Sequence, residues 1–262
     1  MSSPKKIYQL LLDKVAAKDA TEIEEIIIGL TWTLCRTANN MGLAMSPHTQ
    51  TRTLPWAGTL RGKQIKEIAN WITAWQMHEA VVGLAAINAV INHDNPLLAQ
   101  AIPLARTSQP NLAVFEYFLP RLLGKKVTVI GRYPYLAQLA TQMDLTVLER
   151  HPQDTDLLDT ACEFILPESD WVFLTASSLS NKTFPRLAEL ARDAQLVLMG
   201  PSVPWLTEFT DFGVNFLAGV AISDAEALRQ TVSEGGGVRI FQHSITYHVI
   251  DLNKISDNFN TI

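Results

Sequence analysis

The spacing of apolar positions changes about a hundred residues into the chain. Over residues 5–17, Ile7, Leu10, Leu11 and Lys14 fall three and four apart, which predicts a helix. IEEIIIGLTWTLCRT and MGLAMSP follow, rich in β-branched and large apolar residues and separated by the turn-prone Ala38-Asn39-Asn40. They predict two strands joined by a turn. After Gly62, the residues Ile65, Ile68, Ala69, Ile72 and Trp75 recur at helical spacing. A second helix is predicted from about Met77 to Asn92. It is apolar almost all round, so it belongs at the centre of its domain. This half reads as α+β: a small antiparallel sheet with helices packed on it.

Residues 93–111 carry Pro96, Pro103 and Pro110 and no sustained period, which places the join between domains there. Residues 112–123 then predict a helix that Pro120 ends or kinks. Beyond it come four short, continuously apolar runs. VTVI leads into Gly131-Arg132-Tyr133-Pro134, LTVL into Glu149-Arg150, WVFL into Thr175-Ala176-Ser177-Ser178, and LVLM into Gly200-Pro201-Ser202. Such runs suit strands covered on both faces, and their alternation with helical segments is the pattern of a doubly wound parallel sheet. VNFLAG near 214 and a helix from Ser223, with Asp224 and Glu226 in its first turn, extend that pattern. EGGG (234–237) reads as a helix end with Gly235 as the stop. The expected domains are residues 1–106 (α+β) and 107–262 (α/β).

Ligands of such sheets bind beyond the carboxyl ends of the strands. Gly131, Glu149, Thr175, Asn181 and Ser202 are therefore expected to line one cleft. The loop TASSLSNKT (175–183) is the densest polar cluster at a strand end, and Pro185 suits the first turn of the helix after it, with Asn181 or Thr183 as cap. Hydroxyls and free N–H groups at a helix start would receive a carboxylate or phosphate; the same side chains can also cap their own turn. Gly200 permits a tight turn, and Pro201 and Pro204 stiffen it around Ser202. Arg132 and Arg150, each at a strand end, are candidate charge-assisted contacts or solvated surface arginines.

Composition narrows the function classes. The chain is 47% hydrophobic and 18% charged, as a protein with a sizeable core should be, and its net charge of -5 speaks against a nucleic-acid partner. The longest apolar stretch, Ala80 to Ile91, is interrupted by Asn88 and falls short of the roughly 20 residues that span a bilayer, so no membrane partner is expected. The N-terminus lacks the apolar core of a secretory signal, and Cys35 and Cys162 sit in no metal-binding or redox spacing. A cytoplasmic protein with reduced cysteines is the expectation. A homo-oligomer is left open.

The first strand–loop unit, with Glu149 closing the second strand, has part of a nicotinamide pattern. Its fingerprint fails. One glycine is followed by Arg132, Tyr133 and a proline without an N–H, where pyrophosphate needs close backbone approach, so standard NAD binding is not expected. Glu149 can still bind a ligand hydroxyl or amine, or pair with Arg150. There is no GxSxG, HExxH or P-loop, and the six histidines lie scattered, with His151 nearest the presumed cleft.

In order, GLTWTL (29–34), GLAAINAVIN (83–92), VTVIGRYP (127–134), LER (148–150), ESDWVFLTASSLSNKT (168–183), GPSVP (200–204) and LAG (217–219) resemble the family described as "putative heavy-metal chelation". The resemblance covers nearly the whole chain. It implies an enolase N-terminal-like domain followed by a Rossmann-like domain, a ligand site between them, and a role with chelated metal. Under it Asn88 acquires two readings, a buried amide bonded to neighbouring backbone or a group reaching the ligand. The expected ligand-binding set is Asn88, Gly131, Arg132, Tyr133, Glu149, Arg150, Thr175, Ser177, Asn181, Thr183, Gly200 and Ser202. The expected function is binding of a small anionic ligand or metal chelate, any metal ion arriving already chelated. The alternative is an enzyme, a transferase or lyase, acting on a small anionic metabolite in the same place.

Overall fold

The computed structural model describes residues 3–259. The chain forms two compact units, and neither is one continuous stretch. The first takes residues 1–99, 179–182 and 222–245; the second takes 100–178, 183–221 and 246–262.

In the first unit, β1 (Glu25–Ile28), β2 (Trp32–Arg36) and β3 (Met41–Met45) form an antiparallel sheet in that order. The apolar run that predicted one strand is thus two. Gly29 turns the chain, its N–H donating to Trp32 O at 2.9 Å, and an added Cβ there would stand 2.5 Å from Val232 O. The second turn is the expected one, with Asn40 N–H donating to Thr37 Oγ1 at 3.1 Å. Helix Met77–Ile91 is buried along almost its whole length. It lies close against β3 because residue 42 is glycine: a Cβ would fall 2.1 Å from Ala89 N and 2.3 Å from Ala85 O. The amphipathic stretch after Gly62 is a helix only over Ile65–Ala69, continues as a 3-10 turn over Asn70–Thr73, and ends before the exposed Trp75.

Helix Ala225–Ser233 belongs to this first unit, not to the doubly wound half in which its sequence position suggested it. Asp224 Oδ1 caps it by accepting from Ala227 N–H at 2.9 Å, and Leu228 and Val232 make its buried face. Gly235 stops it, with φ +79°. The match to β1 is ionic as well as apolar, because Arg229 holds Glu25 through two hydrogen bonds.

The second unit carries eight strands: β4 (Ile102–Pro103), β5 (Lys126–Ile130), β6 (Asp144–Glu149), β7 (Leu157–Leu158), β8 (Trp171–Thr175), β9 (Gln195–Met199), β10 (Val214–Ile222) and β11 (Ile245–Asp251). Their spatial order is β4-β11-β10-β9-β8-β5-β6-β7. Pairing is parallel from β10 through β9, β8, β5 and β6 to β7, and β4 runs antiparallel to β11. From β5 the chain steps outward to β6 and β7 on one side, then returns and builds β8, β9 and β10 on the other. The direction of winding therefore reverses between β5 and β8. The proline-rich segment contributes the short β4 to the sheet edge, where Pro103 is tolerated.

Helix Ala113–Leu122 keeps Pro120 in its last turn and stops two residues later. Its Phe115 and Phe118 pack on Phe173 at ring distances of 5.0 and 5.7 Å, and Phe118 also meets Trp171 and Phe216. Between β5 and β6 the chain makes only a 3-10 turn, Leu136–Leu139. The α-helix whose N-terminus would face a pyrophosphate is replaced there by a turn too short to present a row of N–H groups.

Candidate functional site

Four of the predicted residues meet where the winding reverses. Gly131 ends β5 with φ +99°, a conformation that L side chains rarely adopt, and its N–H donates to Leu148 O at 2.9 Å. A Cβ at this position would stand 3.3 Å from Thr175 Cγ2, so the ends of β5 and β8 are drawn close. The Tyr133 phenol lies near enough to Thr175 for that side chain to oppose the rise in its pKa. Its hydroxyl lies 3.9 Å from where a side chain on Gly200 would begin. Gly200 itself has φ +110° and donates its N–H to Ala218 O at 3.0 Å. Thr175 Oγ1 and Ser177 Oγ are 3.0 Å apart, which adds Ser177 to the group.

The chemistry of this group is that of neutral donors. Burial raises the Tyr133 phenol far above the ordinary tyrosine range, and the Glu149 charge pushes the same way against the opposing hydrogen bond from Thr175. Burial does the same to Tyr247 in β11, reinforced by its neighbour Tyr133. Both phenols therefore stay protonated and can donate.

The charged candidates are engaged with their own loops. Glu149 Oε2 accepts from Arg132 N–H at 2.8 Å, while Oε1 accepts from Arg150 N–H at 2.7 Å and His151 N–H at 3.4 Å. Arg132 donates from Nη1 to Asp156 at 2.5 Å and from Nη2 to Asp154 at 3.0 Å. Arg150 Nε donates to Asp159 at 3.2 Å. These three residues thus shape the loops after β5 and β6.

The other candidates are placed as follows. Ser202 is buried within the Gly200–Val203 turn, which closes with Val203 N–H donating to Gly200 O at 3.2 Å. Ser178 Oγ donates to Thr175 O at 2.6 Å, the self-capping arrangement that the loop's composition allowed. Thr183 precedes helix Phe184–Leu190 but makes no side-chain cap bond, since its own backbone is already helical (φ -86°, ψ -18°). Thr183, one of the two residues expected to cap that helix, therefore does not cap it. Asn181 lies in the 179–182 segment of the first unit. Tyr8 Oη donates there to Leu179 O at 3.2 Å, and Lys182 Nζ donates to Ile72 O at 2.5 Å. Asn88 is fully buried in the first unit, its amide donating to Leu43 O at 2.8 Å, which ties the central helix to β3.

Sequence reasoning missed two residues. Asn111 sits just before helix Ala113–Leu122 and donates from Nδ2 to Pro134 O at 2.8 Å. Tyr247 comes from the far end of the chain. Pro110 gave a faint signal for the first, as the start of a helical turn; nothing local pointed to the second.

As a place for a directly held metal ion, the donor set does not fit. Among the described residues no three of His, Cys, Asp and Glu gather in a metal-holding group. Cys35 is buried in β2, where burial pushes its thiol up to about 12. Burial, then Glu163 and Asp159, raise Cys162 as well, opposite to what a thiolate ligand needs.

Fold and site together define a mixed α/β protein with hydroxyl and glycine positions gathered at the C-terminal ends of a parallel sheet. Two family models, both described as "Putative heavy-metal chelation", match residues 8–91 and 113–251. The second alone spans more than half of the chain, and the chain belongs to this family. A crystal structure of a DUF364-family protein of unknown function from Desulfitobacterium hafniense is similar at 30% identity and a TM-score of 0.81, over 96% of this chain and 99% of that one. Another family member, from Pyrococcus horikoshii, shares the fold at 24% identity and a TM-score of 0.76, over 95% of this chain and 99% of that one. An uncharacterised protein of Methanocaldococcus jannaschii is 30% identical over 172 residues, which span 63% of this chain and 62% of the relative. Among the described residues no helix is long and apolar enough to cross a membrane.

Proposed function

We propose that the protein binds a small anionic metal chelate at the C-terminal ends of β5, β8 and β9, holding its organic part and leaving the metal to its own ligand. The observation that carries this reading is the Tyr133 phenol, buried near Thr175 with its hydroxyl 3.9 Å from where a side chain on Gly200 would begin. A protonated phenol and two serine or threonine hydroxyls suit the carboxylate arms of a chelator. Glycine at 200, where a Cβ would meet only the Tyr133 hydroxyl at 3.9 Å, leaves room for such an arm to approach the backbone. The family description supplies the connection to metal, and the lack of a metal-holding group of His, Cys, Asp and Glu among the described residues argues that the ion enters already complexed.

Calorimetry with nickel chloride and with nickel(II) ethylenediaminetetraacetate tests the proposal. The complex is expected to bind and the free ion to bind weakly. Tight, stoichiometric binding of free nickel with no binding of the complex would overturn it.

A further inference from the structure

Asn111 carries a hydrogen-bond acceptor that the folded chain leaves unmet. The residue is 3% exposed. Its Nδ2 donates to Pro134 O at 2.8 Å, which fixes the amide orientation and leaves Oδ1 as the remaining atom. Oδ1 is buried without a hydrogen-bond partner. Asn111 stands against the loop that carries Tyr133, through its bond to Pro134. One helical turn on, Phe115 meets the Tyr133 ring edge-on at 5.2 Å, so Asn111 and Phe115 support Pro134 and Tyr133 from the same side. The loop they support is bracketed by two left-handed residues, Gly131 (φ +99°) and Tyr135 (φ +68°). An unmet buried acceptor is a standing cost to the folded state, and such groups in native proteins call for an explanation.

We infer that Asn111 Oδ1 is a specificity-determining contact that accepts a hydrogen bond from an N–H or O–H group of the bound ligand. The other groups of the site, Tyr133, Thr175 and Ser177, are hydroxyls suited to the ligand's acceptors, so Asn111 supplies the complementary acceptor. A chelate whose metal-bound nitrogens keep their protons fits both sides of this set. One whose nitrogens are all tertiary fits only the hydroxyl side.

This inference rests on the chelate reading of the site, and two isomeric probes separate the two claims. Nickel(II) ethylenediaminedisuccinate and nickel(II) ethylenediaminetetraacetate carry the same charge and the same donor atoms, but only the first has N–H groups. In the full-length protein the disuccinate complex should bind about tenfold more tightly, the worth of one well-made buried hydrogen bond. Asn111→Leu should erase that preference, bringing the two affinities within about twofold of each other whatever loss of the Pro134 bond does to both. Asn111→Ala, smaller and without an acceptor, serves if the leucine variant does not fold. Binding of both complexes with no preference, or a preference that survives either substitution, overturns the Asn111 assignment and leaves the chelate reading standing. Binding of neither complex overturns both. A crystal structure of the disuccinate complex in which Oδ1 faces an ordered water alone also overturns the assignment.

Discussion

Arg229 and Glu25 stand 204 positions apart and are joined side by side, Nε to Oε2 at 2.7 Å and Nη2 to Oε1 at 3.0 Å. Each side chain is about one-third exposed, so water screens the pair only in part. Its meaning is topological. It fastens a helix from the last quarter of the chain to the first strand of the small sheet, within a single compact unit.

The hydrogen bond from Arg229 lowers the Glu25 pKa below its ordinary 4.5. A lowered carboxylate contributes stability that is fully present above the unfolded value and is lost as pH falls through the folded one. Thermal melts of the parent and Glu25→Gln should therefore differ at neutral pH, with the parent more stable, and converge as pH falls below 4.5. A difference that persists undiminished at pH 2 would contradict this assignment.

Lys182 gives the same sign of pH dependence in an alkaline window. Burial lowers its pKa from 10.5 to about 8. Between those values the unfolded chain binds the proton that the folded chain has released, so folding gains stability as pH rises from about 8 to 10.5. Denaturation midpoints of the parent should rise relative to Lys182→Met across that window. Parallel pH profiles for the two proteins would refute the shift.

Gly42→Ala places a methyl 2.1 Å from Ala89 N and 2.3 Å from Ala85 O, both backbone atoms of the central helix. Helix and strand must separate to admit it. A loss of about 3 kcal/mol is expected in urea denaturation, the upper end for overpacking a core. A loss below about 1 kcal/mol would show that the sheet can slide away from the helix.

Tyr133→Phe removes the hydroxyl near Thr175 and keeps the ring against Phe115. Stability should change by about 1 kcal/mol or less, whereas affinity for the tetraacetate complex should fall about tenfold. Unchanged affinity would remove Tyr133 from the ligand-binding set.

Much of the architecture was legible in the sequence because each signal was local. VTVI, LTVL, WVFL and LVLM became β5, β6, β8 and β9 almost residue for residue, since short, fully apolar runs have few ways to hide except as covered strands. The all-apolar stretch around Asn88 became the buried helix for the same reason. That Gly131, Thr175 and Gly200 share one sheet edge was legible because parallel strands bring their following loops together. Tertiary structure decided what no window of sequence contains. It carried helix Ala225–Ser233 to the small sheet, where Arg229 could reach Glu25, and it drew Arg132 and Arg150 into ion pairs with Asp154, Asp156 and Asp159. It also brought Asn111 against the β5 loop and Tyr247 beside Tyr133, from segments far apart in the chain. Apolar periodicity reports which residues leave water, and that is enough to fix elements. Which partners they then meet depends on distances between segments, which only the folded chain defines.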